Sequence, residues 1–232
     1  MQEMPGMLPR RFSMPEESTP FSYPEMSSQN LLEADDDFHA TDRRNLDDGV
    51  VIPYPAKRSE RTPQGLFNGI FSHLTRECHD NPVKAGLVVI SGNSYNEGYT
   101  RILLHLIDPT WRGSWTSTNE NGSYLSFDFL EHKVCVIGYS LKTYKGNKEW
   151  RHLKSWVLEG SNGGGWREIH VVKKSNKLNG PSAIASFKCG DAGSSAKQQK
   201  FYQIIRLRLT DKNIYGDYYL NLSGIELFGI YD

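Results

Sequence analysis

Thirteen residues from Lys142 to Lys154 hold five cations and two aromatics: Lys142-Thr143-Tyr144-Lys145-Gly146-Asn147-Lys148-Glu149-Trp150-Arg151-His152-Leu153-Lys154. Aromatic faces beside amide, ammonium and guanidinium donors suit sugars, phosphates or acidic peptide segments. Tyr144, Lys145, Lys148, Trp150 and Arg151 are therefore candidate ligand- or partner-binding residues. Trp150 also precedes a strand pattern, so a solvated loop with that ring buried beneath it is the other reading. Over residues 142–177 nine Lys and Arg stand against three Asp and Glu. No nucleic-acid motif accompanies the excess, and nucleic acid is not the expected partner.

Other chemistry is sparse. The chain has no Gly-x-Ser-x-Gly elbow, no phosphate-binding Gly-Lys-Ser/Thr loop and no His-Glu-x-x-His pair. Its histidines, His39, His73, His79, His105, His132, His152 and His170, are scattered. Only Cys78-His79 sets two soft ligands together, and neighbours in sequence point different ways. Asp35-Asp36-Asp37 lacks the glycine and spaced oxygens of a calcium loop. The expectation is no catalytic residue, no metal, no cofactor and no enzyme.

The elements that must position the basic loop are strands. Leu153–Glu159 alternates apolar and polar, Gly160-Ser161-Asn162-Gly163-Gly164-Gly165 is a turn needing positive φ, and Trp166 opens another strand through Val172. A dinucleotide-binding loop would precede a helix, which Arg167–Val172 does not resemble. Further strands are expected at Leu87–Ile90, Tyr124–Phe129, Val134–Leu141, Ala183–Cys189, Tyr202–Thr210 and Leu222–Ile230. In the last but one, Ile205, Leu207 and Leu209 share one face and Arg206 and Arg208 the other. A short helix is expected over Gln64–Thr75, plugging one end. Short strands between Gly, Asn and Asp clusters predict an all-β antiparallel sandwich. All five tryptophans lie between Trp111 and Trp166, and each can bury ~150–250 Å².

Five segments in this order resemble one family: Ser126-Phe127-Asp128-Phe129, Gly138-Tyr139-Ser140-Leu141, Ser155–Trp166, Tyr202–Thr210 and Ile225-Glu226-Leu227-Phe228-Gly229. They are similar to the discoidin family, the factor V/VIII C-type, galactose-binding-like domains, over about Gly65 to Ile230. The likeness is greatest to the intracellular, protist-type branch. Gly163 departs from the family's pattern, which usually has Asp there. The resemblance implies a jelly-roll sandwich with ligand loops projecting from one end. One of these is the basic loop, and the first is Ser91–Tyr99, which adds Tyr95 and Asn96 to the candidates. Secreted relatives tie the domain ends with a disulfide. Here Cys78 lies near the start but no cysteine lies in the closing strand, so Cys78, Cys135 and Cys189 are expected to be free thiols.

Residues 1–60 differ in kind. They hold all five methionines, seven of eleven prolines, and 6 Lys and Arg against 12 Asp and Glu, while residues 61–232 hold 21 against 15. Prolines at 5, 9, 15, 20 and 24 block a continuous helix. The expected organisation is an extended, proline-rich arm over residues 1–60 and the discoidin-like domain over 61–232. Phe12, Phe21, Tyr23 and Tyr54 are the arm's candidate anchors. The N-terminus shows no apolar run of signal-peptide length, which leads to an expected cytoplasmic, reducing location and no membrane span. The expected function is a structural or interaction protein of a large intracellular assembly. A flagellar microtubule lattice, with tubulin or axonemal proteins as partners, is one concrete example. The alternatives are a lectin-like module for glycans or for anionic ligands, and an adaptor recruiting clients to a complex.

Overall fold

The computed structural model describes residues 49–55, 57–93, 101–146, 151–190 and 200–232. The strands are β1 Val50–Ile52, β2 Val89–Gly92, β3 Trp115–Thr116, β4 Tyr124–Asp128, β5 Val134–Lys142, β6 Trp156–Ser161, β7 Arg167–Val172, β8 Ile184–Lys188, β9 Ile204–Leu209, β10 Asn221–Leu222 and β11 Gly224–Tyr231. They form a four-stranded sheet in the order β1-β11-β5-β8 and a five-stranded sheet in the order β2-β4-β9-β6-β7, with β3 and β10 a separate pair. Every pairing is antiparallel. An antiparallel sandwich is the architecture that the discoidin resemblance implies.

Alternation decides which side chains meet between the sheets. Trp156 and Leu158 on β6 and Ile205, Leu207 and Leu209 on β9 are fully buried, as a period of two requires. Trp156 meets Phe187 of the opposite sheet edge-on, with centroids 5.1 Å apart. β5 is buried on both faces because its outer face is covered too. Tyr54 lies on Gly138, where a Cβ would come within 2.3 Å of the tyrosine ring. The same ring meets Phe228 edge-on at 5.7 Å and donates its hydroxyl to Ser186 Oγ at 2.9 Å.

Two expected boundaries move. The sheet already contains β1, which pairs with β11 over Gly229–Tyr231, so the folded domain starts before residue 61. Three β-branched residues run into Pro53 and Pro55, which read as linker in sequence but are compatible with an edge strand. The helix expected over Gln64–Thr75 is instead a 3-10 turn at Gly65–Phe67 followed by α1, Ile70–Cys78. The break falls where β1 leaves part of the β11 edge free and α1 docks on it: a Cβ on Gly69 would lie 2.2 Å from the Leu227 carbonyl oxygen. Glu226 of β11 caps α1, accepting the Phe71 and Ser72 N–H groups at 2.9 and 3.2 Å and the Ser72 hydroxyl at 2.8 Å. Phe71 then packs at a tilt on Phe127 of the other sheet and stacks on Phe129, the residue after β4. α1 thus bridges the two sheets along one side rather than plugging an end.

Register divides the sandwich into two poles. Val50 sits opposite Tyr231, and Tyr231 opposite Val134; this pole also holds the Gly163–Gly165 turn. At the other pole the connections β2 to β4, β5 to β6, β7 to β8 and β9 to β10 all leave the sheets. Cys78, Cys135 and Cys189 are thiols. Burial pushes Cys189 up to about 12 and raises Cys135 as well, which removes thiolate reactivity at neutral pH.

Candidate functional site

The connection between β9 and β10 is built around Asn213, a buried side chain. Its backbone N–H donates to the Asp217 carbonyl, and its Oδ1 accepts the Gly216 and Asp217 N–H groups at 3.1 and 3.3 Å. Its Nδ2 donates to Asp217 Oδ1 and to the Tyr219 carbonyl. Gly216, at φ +99°, allows the reversal. One short amide therefore fixes the run Tyr215-Gly216-Asp217-Tyr218-Tyr219. The adjoining β5–β6 connection is laced to it, since the Ile214 N–H donates to the His152 carbonyl and the Thr210 N–H to the Ser155 carbonyl.

Arg151 completes the arrangement. Its Nε donates to Asp217 Oδ2 at 2.9 Å, and its guanidinium carbon lies 4.2 Å above the Tyr219 ring and 5.7 Å from that of Tyr215. Asp217 Oδ1 also accepts the Tyr219 N–H, at 3.2 Å. The carboxylate thus orients the guanidinium and is itself oriented by Asn213. Tyr215 stands 65% exposed. A flat aromatic face, a fixed cation and a fixed acceptor are presented together at one pole.

Of the candidates, Arg151 is brought into this group. Tyr144, half-buried, accepts the Ser182 N–H on its carbonyl, and Lys145 is exposed in the same connection. Thr143 ties that connection to the one before β8, donating to the Gly180 carbonyl at 2.7 Å. Tyr95, Asn96, Lys148 and Trp150 lie outside the described residues, as do the arm anchors Phe12, Phe21 and Tyr23. Tyr54, expected to anchor the arm, is packed on its own sheet through Gly138, Phe228 and Ser186. Tyr215, Asp217 and Tyr219 were not among the candidates. Their signal was three tyrosines in five residues around a glycine, outside the basic loop.

A second polar cluster covers the outer face of the five-stranded sheet. Arg206 and Arg208, expected as an outward basic face, both reach Glu159 at 2.7 and 2.6 Å, and Trp166 stacks 3.7 Å from the Arg206 guanidinium carbon. Burial pushes the Glu159 carboxyl up, but the hydrogen bonds from Arg208 and Arg206 outweigh it and hold it below the usual range. Among the described residues no three His, Cys, Asp or Glu side chains group to hold a metal, and no helix is long and apolar enough to cross a membrane.

No protein-family model and no curated protein matches the chain. Solved structures that resemble it include carbohydrate-binding modules and a lectin. A Clostridium perfringens CBM32 domain, in complex with GalNAc-β-1,3-galactose, is 12% identical at a TM-score of 0.46, covering 62% of this chain and 96% of that one. CBM62 of Clostridium thermocellum Xyl5A is 17% identical at a TM-score of 0.44, covering 61% and 92%. The serum fucolectin of striped bass, Morone saxatilis, is 13% identical at 0.44, covering 62% and 45%. The sugars are ligands of those proteins.

Proposed function

We propose that this chain is a non-catalytic binding domain whose loop pole holds a carbohydrate. Tyr215 supplies the face on which a sugar ring stacks, and Arg151 and Asp217 supply donors and an acceptor for its hydroxyls. The observation that carries the reading is the exposed Tyr215 ring beside an ion pair already fixed by Asn213. Such prior fixing lowers the ordering cost of binding. Polar groups placed beside an aromatic wall are what a specific small-ligand site requires.

A glycan array probed with the full chain, followed by titration of the strongest hit, tests this. Tyr215→Ala should weaken binding up to about tenfold, the worth of one aromatic stack. Arg151→Gln should weaken it further, roughly ten- to a hundredfold, as expected for hydrogen bonds to a charged group. Arg151→Lys should not rescue, because an ammonium lacks the planar fork. A blank array rejects the reading and leaves the protein-assembly alternative, cytoskeletal or otherwise, for which fractionation of the source cell is the test.

A further inference from the structure

The outer face of the four-stranded sheet carries a separate depression of about 560 Å³, lined by Pro63, Phe67, Arg76, Pro109, Lys142 and Ile184 among others. Its floor follows from the register. Lys142, the last residue of β5, pairs with Gly224 on one side and Ile184 on the other. Gly224 has no side chain, and the Phe67 ring occupies the vacant space, 3.1 Å from where a Cβ would stand. The 3-10 turn and α1 form one wall, and Pro109 and Thr110 the other. The result is an apolar floor with a lysine rising from it.

The charges are one-sided. Lys142 Nζ donates to the Trp111 carbonyl at 3.2 Å, and Arg76 Nη1 donates to Asn68 Oδ1 at 2.8 Å. Both acceptors are neutral, and among the described residues neither cation pairs with a carboxylate. Among the described residues no Asp or Glu lines the depression. The acid on the same wall, Asp108, is turned to the Thr110 N–H and hydroxyl. Two uncompensated cations over an apolar floor attract one kind of ligand strongly, an anion with a hydrophobic body. The volume falls in the range of small-molecule sites, ~300–1,000 Å³.

We infer that this depression is a second ligand site, distinct in its residues from the Tyr215 pole, and that it takes a small amphipathic carboxylate. The carboxylate lies between Lys142 and Arg76, and its aromatic or aliphatic body lies on Phe67, Ile184 and the two prolines. The test is titration of the full chain with 4-phenylbutyrate, followed by calorimetry and by NMR shifts of residues 63–76 and 142. 4-Phenylbutanol, which has the body without the charge, and acetate, which has the charge without the body, should each bind at least tenfold more weakly. Lys142→Gln and Arg76→Gln should each weaken 4-phenylbutyrate at least fivefold at unchanged melting temperature, and Tyr215→Ala should not affect it. The inference is overturned if the alcohol binds as well as the acid, if neither charge removal matters, or if 4-phenylbutyrate does not bind.

Discussion

The hydroxyl of Tyr139 has one proton to give, and its neighbours decide where it goes. Trp156 Nε1 can only donate and does so to the Tyr139 oxygen at 2.8 Å. The tyrosine proton therefore points at His170 Nδ1, 2.9 Å away, which must present a lone pair. His170 is held neutral, and burial, followed by Lys177, keeps its pKa below the ordinary value. Between the ordinary value of about 6.5 and that lowered value, the unfolded chain binds a proton that the folded chain does not. The contribution to stability is thus full above about pH 6.5 and is lost as pH falls through the folded value. The melting temperature should decline on acidification from about pH 7 to 5, and His170→Phe should flatten that slope. Equal slopes in the two proteins would sink the assignment. Period two put Trp156 and Leu158 on one shared face of their strand, and Arg206 and Arg208 outward, from sequence alone; the fold shows that the shared face is the buried one. Periodicity could not find the partners Glu159 and His170, because those depend on which distant strands become neighbours.

At the scale of the element, the capping of α1 comes from outside the helix. Gly69, its N-cap, offers no side-chain oxygen, so the first N–H groups rely on Glu226, 155 residues from Phe71 in the chain. Burial pushes the Glu226 carboxyl up, while donation from Phe71, Leu227 and Ser72 acts against that. Glu226→Ala strands several buried donors at once and should cost about 3 kcal/mol, or roughly 6–12 °C of melting temperature in a domain of this size. Glu226→Gln, which keeps an acceptor oxygen, should cost less. Thermal denaturation followed by circular dichroism decides; an unchanged Glu226→Ala melt would mean the cap is replaced by water. Strands of five or more residues were legible because alternation repeats often enough to register. β1 and β3 were not, since two or three residues show no period. The split between Phe67 and Ile70 was missed because it is imposed by the approach of β11, which no local propensity encodes.

For the molecule as a whole, β1 and Tyr54 make residues 49–55 part of the sandwich. A chain beginning at residue 61 should melt well below one beginning at residue 49. Loss of Ile52 and Tyr54 burial alone is worth roughly 3–5 kcal/mol, or on the order of 10 °C. Matching melts would show that the outer face of β5 does not need its cover. The candidate site was half legible. Charge density marked Arg151 within its loop, while Tyr215 and Asp217 lie 64 and 66 residues further on, and only folding places them under the same guanidinium.

The pairing of Val50 with Tyr231 also has a mechanical meaning. The two ends of the folded domain lie side by side on adjacent antiparallel strands. Tension applied between them loads the β1–β11 ladder from its open end. Its three registered pairs then separate in succession instead of sharing the force, so β1 unzips at low load and carries Tyr54 off Gly138 with it. The connections at the far pole lie outside this load path. Under stretching, the domain should give way first at its tethers while the loop pole stays folded.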